Sequence, residues 1–183
     1  MFRRKPKPAD DPLVHVDAST VPPRWAGAVA DAVEARRRWH DLVAGIRPGP
    51  VRDRLAGLGE RVDEGVLAVW EAVVRAVEAE RIAQALDPDR VVGEYKAAKR
   101  DQAADPALVE ALSARFSSVQ RVLNALDDTE ERLRLLDARL GAAVARGAEV
   151  ALAAGKGGDD LGAELDAVVG ELGALRDSLE SLG

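Results

Sequence analysis

The chain has no cysteine, two histidines, one methionine and only 3% aromatic residues, and nowhere does it hold 18 consecutive apolar residues. Each scarcity removes a class of function. Without cysteine there are no disulfides, thiolate nucleophiles, iron–sulfur clusters or Cys-rich zinc sites. His15 and His40 are the only imidazoles, one in the tail and one beside an arginine run; neither is placed to serve a catalytic triad, and neither belongs to a Glu-x-x-His di-metal motif. The longest weakly polar stretch, Leu140 to Ala154, is broken by Arg146 and Glu149, which argues against a membrane span. Pro6, Pro8, Asp10 and Asp11 stand where the apolar region of a signal peptide would be needed. The expectation is a cytoplasmic protein.

Leu, Val and Ala dominate what remains, with hydrophobic residues at 47% and charged residues at 32% of 183 positions. That composition builds slender helix–helix seams more readily than sheets, where aromatic and β-branched residues concentrate. The expected fold is all-α: an elongated, antiparallel, coiled-coil-like bundle of four to five helices with a disordered N-terminal tail.

Proline and glycine punctuate the pattern. Residues 1–20 read as a flexible basic tail. A helical domain over 21–154 follows, with helices at about 22–46, 51–86, 88–104 and 106–154. Ser19 or Thr20 is placed to cap the first helix, and Pro22 and Pro23 open it. Arg47-Pro48-Gly49-Pro50, Asp87-Pro88 and Asp105-Pro106 mark the later boundaries. A glycine-rich linker is expected at 155–160 and a C-terminal heptad helix at 161–183.

The seams have different periods. Leu55, Leu58, Val62, Val66, Val69, Val73 and Val77 follow an eleven-residue repeat, which favours a nearly straight seam. Leu67, Trp70 and Val74 widen that stripe, so the second helix should sit centrally between two neighbours. In the fourth helix the pattern Leu112, Phe116, Val119, Leu123, Leu126, Leu133, Leu136, Leu140, Ala143 loses phase near Asp127-Asp128-Thr129, where a bend or overwinding is expected. The last helix carries Leu161, Leu165, Val168, Leu172, Leu175, Leu179 and Leu182 at strict 4-3 spacing. These seven residues form the candidate helix-interaction seam. A second stripe of small residues, Ala163, Ala167, Gly170 and Ala174, suggests a helix lying between two neighbours, or simply reflects how frequent Ala and Gly are in this chain. Folding back onto residues 133–150 and docking on another chain are the two alternatives.

Charge is polarised along the chain. Residues 159–183 hold Arg176 against seven acids, which accounts for the entire net charge of −6. Arg3, Arg4, Lys5 and Lys7 make the opposite tip basic, a candidate membrane-contacting tail with weak affinity for anionic lipid. The balanced body argues against specific nucleic-acid binding.

Other clusters have ordinary structural readings. Arg36-Arg37-Arg38-Trp39-His40 points around the helix, a solvated arginine face over a buried Trp39. Among Asp127, Asp128, Glu130 and Glu131, four-residue spacing pairs Asp128 with Arg132 and Glu130 with Arg134. Gly155-Lys156-Gly157-Gly158 lacks the spacing and the Ser or Thr of a phosphate loop. Tyr95, Lys96, Lys99 and Arg100 make a small basic surface, read first as ordinary exposed residues of a connector helix; the alternative is a docking point for an acidic partner such as the protein's own last helix.

The functional expectation is a non-enzymatic helical interaction or scaffold protein, with no cofactor and no metal, whose partner is itself or a heterologous helical protein. A peripheral membrane-surface protein using the basic tail is the alternative. A helical enzyme or small-ligand carrier is the lesser one.

Overall fold

The fold is seen in a computed structural model, which describes residues 13–153 and 158–180. Every regular element among them is helical: α1 Pro23–Gly45, α2 Pro50–Ala85, α3 Pro88–Arg100, α4 Pro106–Leu152 and α5 Gly158–Glu180. Helices α1 to α4 each begin on proline, whose absent N–H would be unpaired in the first turn anyway. Asp87 caps α3 by accepting the Arg90 N–H at 3.3 Å, and Asp105 caps α4 by accepting the Ala107 N–H at 2.9 Å. Asp87 also takes a left-handed conformation (φ 52°), which turns the chain sharply between α2 and α3.

Helices α1, α2, α5 and the second part of α4 form a four-helix body. Helix α2 is its centre, packing on α1, α4 and α5. Three neighbours, rather than the two expected, use a wider face. Leu55, Leu58, Val62, Val66, Val69 and Val73 are buried together with an alanine row, Ala72, Ala76, Ala79 and Ala83. Helix α3 continues beyond α2 and packs on the first part of α4, with no comparable contact to another helix. At ~1.5 Å per residue the 47 residues of α4 span about 70 Å. The molecule is therefore a body with a two-helix hairpin, α3 and the start of α4, extending from one end.

Several boundaries differ from the sequence reading. Residues 13–20, expected in the flexible tail, are packed: Leu13 is buried, Val16 and Ala18 lie against the core, and His15 meets the Trp70 ring edge-on at 6.1 Å. Ser19 and Thr20 do not cap α1. They belong to a 3-10 turn, Ala18–Thr20, in which Asp17 accepts the Ser19 N–H at 2.8 Å. Helix α3 stops at Arg100 rather than 104, because Asp101 turns extended and its carboxylate accepts the Ala103 N–H at 2.9 Å. Helix α5 starts at Gly158, inside the expected 155–160 linker, with Asp159 and Asp160 favourably placed in its first turn.

Helix α4 is continuous through 127–129, where a loss of phase was expected. The buried row there is Leu126, Thr129, Leu133, Leu136 and Leu140, with Val122 packed against the core one step earlier. Taking Val122 and Thr129 as seam positions restores strict 3-4 alternation. The Thr129 hydroxyl donates to the Ala125 carbonyl at 2.7 Å, so the one polar seam residue is satisfied within its own helix.

Candidate functional site

The C-terminal seam lies in the core of its own chain. Leu161, Leu165, Val168, Leu172, Leu175 and Leu179 are each at most 4% exposed. Leu182, Arg3, Arg4, Lys5 and Lys7 lie outside the described residues. The seam packs on α2 even more than on α4, its expected partner. Its direction on α2 is recorded by ion pairs. Arg54 donates to Asp159 at 2.6 Å, Arg61 to Asp166, and Arg176 to Glu71 at 2.8 Å, each pair separated by 105 residues. Arg75 meets Glu180 at 3.2 Å at the same separation. A constant offset means that α5 runs parallel to α2. On the other flank Arg139 meets Glu171 at 2.6 Å and Arg146 meets Glu164 at 2.9 Å, so α5 runs antiparallel to α4.

The acidity of α5 thus has an internal complement, with a row of arginines on each side of the seam. These pairs are largely exposed and contribute only ~0.2–1 kcal/mol each. Their effect is on register and direction, which a repeating leucine seam leaves open. The small stripe Ala163, Ala167, Gly170 and Ala174 does not meet a neighbour; all four residues face solvent. Both flanks of the seam already carry the charged residues that reach α2 and α4, and the small residues occupy the outer face.

Trp39 anchors the other side of the body. It is fully buried, and a Cβ built on Gly147 would fall 2.5 Å from its Cζ3, while one on Gly59 would lie 3.4 Å from its Nε1. Glycine on α4 is therefore what admits the ring. The indole N–H has no hydrogen-bond partner. Around it the arginine run is structural: Arg36 reaches Asp63 on α2 at 2.7 Å, Arg37 and Arg38 both hold Glu34, and His40 lies 3.5 Å from Asp63. The Arg37 hydrogen bond foremost, with Arg38 beside it, holds the Glu34 carboxyl down at about 2.

The acidic cluster on α4 clamps α1. Arg24 donates to Glu130 at 2.7 Å and to Asp127 at 2.6 Å, and its guanidinium lies 4.9 Å from the Trp25 ring centroid. Trp25 in turn donates its indole N–H to Glu80 of α2 at 2.9 Å. Glu130 also bridges Arg134, as the spacing implied. Two turns further along, α1 and α4 oppose like charges in a cleft of about 320 Å³ that Asp31, Asp137, Arg24, Glu130 and Arg134 share. Burial, and then the nearby Asp31 charge, push the Asp137 carboxyl up to about 6. The folded state thus binds a proton more tightly than the unfolded chain, and stability falls as pH rises from about 4 to about 6. Asp137→Asn is expected to raise stability at pH 7.5 by about 1 kcal/mol, allowing for solvent screening at a half-buried site. Urea midpoints at pH 5 and 7.5 check this: the wild type should gain at pH 5 relative to the variant, and parallel shifts would contradict it.

The hairpin carries the remaining sequence candidates. Tyr95 stacks on Phe116 at 4.8 Å, Lys99 lies 5.6 Å from the Tyr95 ring centroid, and Glu94 meets Arg115 at 3.2 Å. The basic surface of α3 therefore faces α4 and solvent, as the connector-helix reading has it, and α5, the alternative partner, makes no comparable contact with α3. Beside it is an open groove of about 660 Å³, lined among others by Tyr95, Lys99, Pro106, Val109 and Ala114. Leu108, close to the groove in sequence, is 52% exposed.

No group of three or more His, Asp or Glu among the described residues is arranged to hold a metal ion. No helix among them is long and apolar enough to cross a membrane. No protein-family model, curated protein or solved structure matches the chain.

Proposed function

We propose that this chain is a non-enzymatic helical interaction protein, in which the four-helix body holds the α3–α4 hairpin out as a docking surface. One observation carries the reading. The hairpin stands beyond the ends of α1 and α5, with an open apolar-lined groove along it, whereas the leucine seam is already occupied inside the body. A two-helix layer has little interior of its own: Val91 is the only buried residue of α3, and Val119 is the first buried residue of α4. An exposed apolar surface on such a projection fits recognition of a partner helix laid along it. With the seam packed inside the body, the proposed partner contact lies at the opposite end of the chain's longest helix.

The test compares three baits: the wild type, a hairpin variant with Leu108→Glu and Ala114→Glu, and a body variant with Leu135→Glu. All three altered residues are exposed, so thermal melting should be unchanged. Quantitative affinity capture from the source cells is expected to show partners lost from the hairpin variant and kept by the body variant. Identical partner sets for all three baits would contradict the reading.

A further inference from the structure

We propose that α5 is an exchangeable helix, and that the α2–α4 groove it fills accepts the α5 of a second copy of this chain, giving a reciprocally exchanged dimer. Four observations meet in this groove. First, the groove is specific for an acidic leucine-seam helix running parallel to α2. Arg54, Arg61 and Arg75 on one wall and Arg139 and Arg146 on the other face Asp159, Asp166, Glu180, Glu171 and Glu164. Second, α5 packs on α2 and α4 and makes no comparable contact with α1 or α3 among the described residues. Its principal packing partners are therefore reproduced when the same helix arrives from another chain.

Third, α5 is a weak helix by itself. A Cβ on Gly170 or Gly173 would meet nothing within 4 Å, so neither glycine serves a close approach. Both lower intrinsic helix stability relative to alanine, and a helix of 23 residues with such glycines depends on its groove for its structure. Fourth, α4 ends at Leu152 and α5 begins at Gly158. Five residues lie between, enough to span ~17 Å when extended. In the exchanged dimer the C-terminal ends of the two α4 helices lie side by side, and each α5 crosses to the other body. The contacts within the grooves are identical in the two topologies, so concentration decides between them. The closed chain presents its own α5 at an effective concentration on the order of millimolar. Exchange is thus a property of concentrated or refolding protein, and the closed form prevails in dilute solution.

Two charge-reversed full-length chains test this. One carries Arg54→Glu, Arg61→Glu and Arg75→Glu; the other carries Asp159→Lys, Asp166→Lys and Glu180→Lys. Each chain alone sets like charges against each other along α2 and α5. A reciprocal pair satisfies every position, because the reversed helix meets the reversed wall and the native helix meets the native wall. The expected result, by light scattering after joint unfolding and refolding near 1 mM, is a species of twice the chain mass in the equimolar mixture. That species is absent from either chain alone. Two single-chain masses in the mixture would overturn the proposal. If either variant lacks the wild-type helical signal, tagged and untagged wild-type chains refolded together near 1 mM decide the question. Retention of untagged chain on the tag resin supports exchange, and its complete flow-through overturns it.

Discussion

Replacing Trp39 by alanine is expected to lower the stability of the fold by about 3–5 kcal/mol, with a fall in melting temperature of roughly 10 °C. The ring is fully buried where α1, α2 and α4 meet, and its closest neighbours include two glycines, Gly59 and Gly147, that leave no side chain to relax into the space. A cavity at such a site collapses poorly, which places the cost at the upper end of large-to-small substitutions. Three further changes separate packing from polarity. Trp39→Phe keeps much of the ring and removes an indole N–H that is buried without a partner. Its cost should be less than half that of alanine, since leaving such a donor unpaired carries a penalty of about 1–3 kcal/mol. Gly147→Ala places a methyl group 2.5 Å from Cζ3 of the ring and should be destabilising by about 1–3 kcal/mol despite alanine's better helix propensity. Gly59→Ala, at 3.4 Å from Nε1, should be close to neutral. Chemical denaturation of the four variants checks the order, and equal costs for Gly147→Ala and Gly59→Ala would show that the ring is not wedged against α4.

Leu172→Asp is expected to release α5 without unfolding the rest. Leu172 is fully buried between α2 and α4, and a carboxylate there loses the apolar contact and meets no cation in the seam. The combined penalty, on the order of 5 kcal/mol, exceeds what a glycine-containing helix held at its edges by exposed ion pairs can withstand. Helical signal should fall by an amount corresponding to the 23 residues of α5, and amide exchange should become fast there while α1 stays protected. The mass in dilute solution should remain that of one chain. Loss of a dimer on this substitution would mean that the seam works between chains even at low concentration.

Much of this architecture is legible in the sequence because proline and aspartate mark the helix starts, and because Leu and Val rows keep one phase over long stretches. Direction is not legible in the same way. The 4-3 repeat of α5 fits a parallel or an antiparallel neighbour equally well, and only the constant offset of Arg54, Arg61 and Arg75 against Asp159, Asp166 and Glu180 resolves it. That signal was available, since the imbalance of charge at the C-terminus calls for a basic complement elsewhere. Thr129 was missed as a seam position because its polarity hides a hydroxyl that its own helix satisfies. The alanine row Ala72, Ala76, Ala79, Ala83 was missed because alanine is common throughout the chain, and burial alone distinguishes these four. The small stripe on α5 is the reverse case: its four residues face solvent, which agrees with the reading that Ala and Gly are simply frequent here. Gly147 as the seat of Trp39, and Asp31 set against Asp137, are pairings between α1 and α4 that no local pattern encodes.

The parallel return of α5 onto α2 within one chain is the claim on which the placement of every other surface depends, and a cysteine-free sequence makes it directly measurable. Spin labels on Arg75→Cys/Glu180→Cys and on Arg54→Cys/Glu180→Cys, at micromolar concentration and diluted with unlabelled protein, report the two distances. The first pair should be close, the second longer by roughly 30 Å, and neither should change on dilution. A reversed order of the two distances, or a short distance that disappears on dilution, would contradict the closed parallel arrangement.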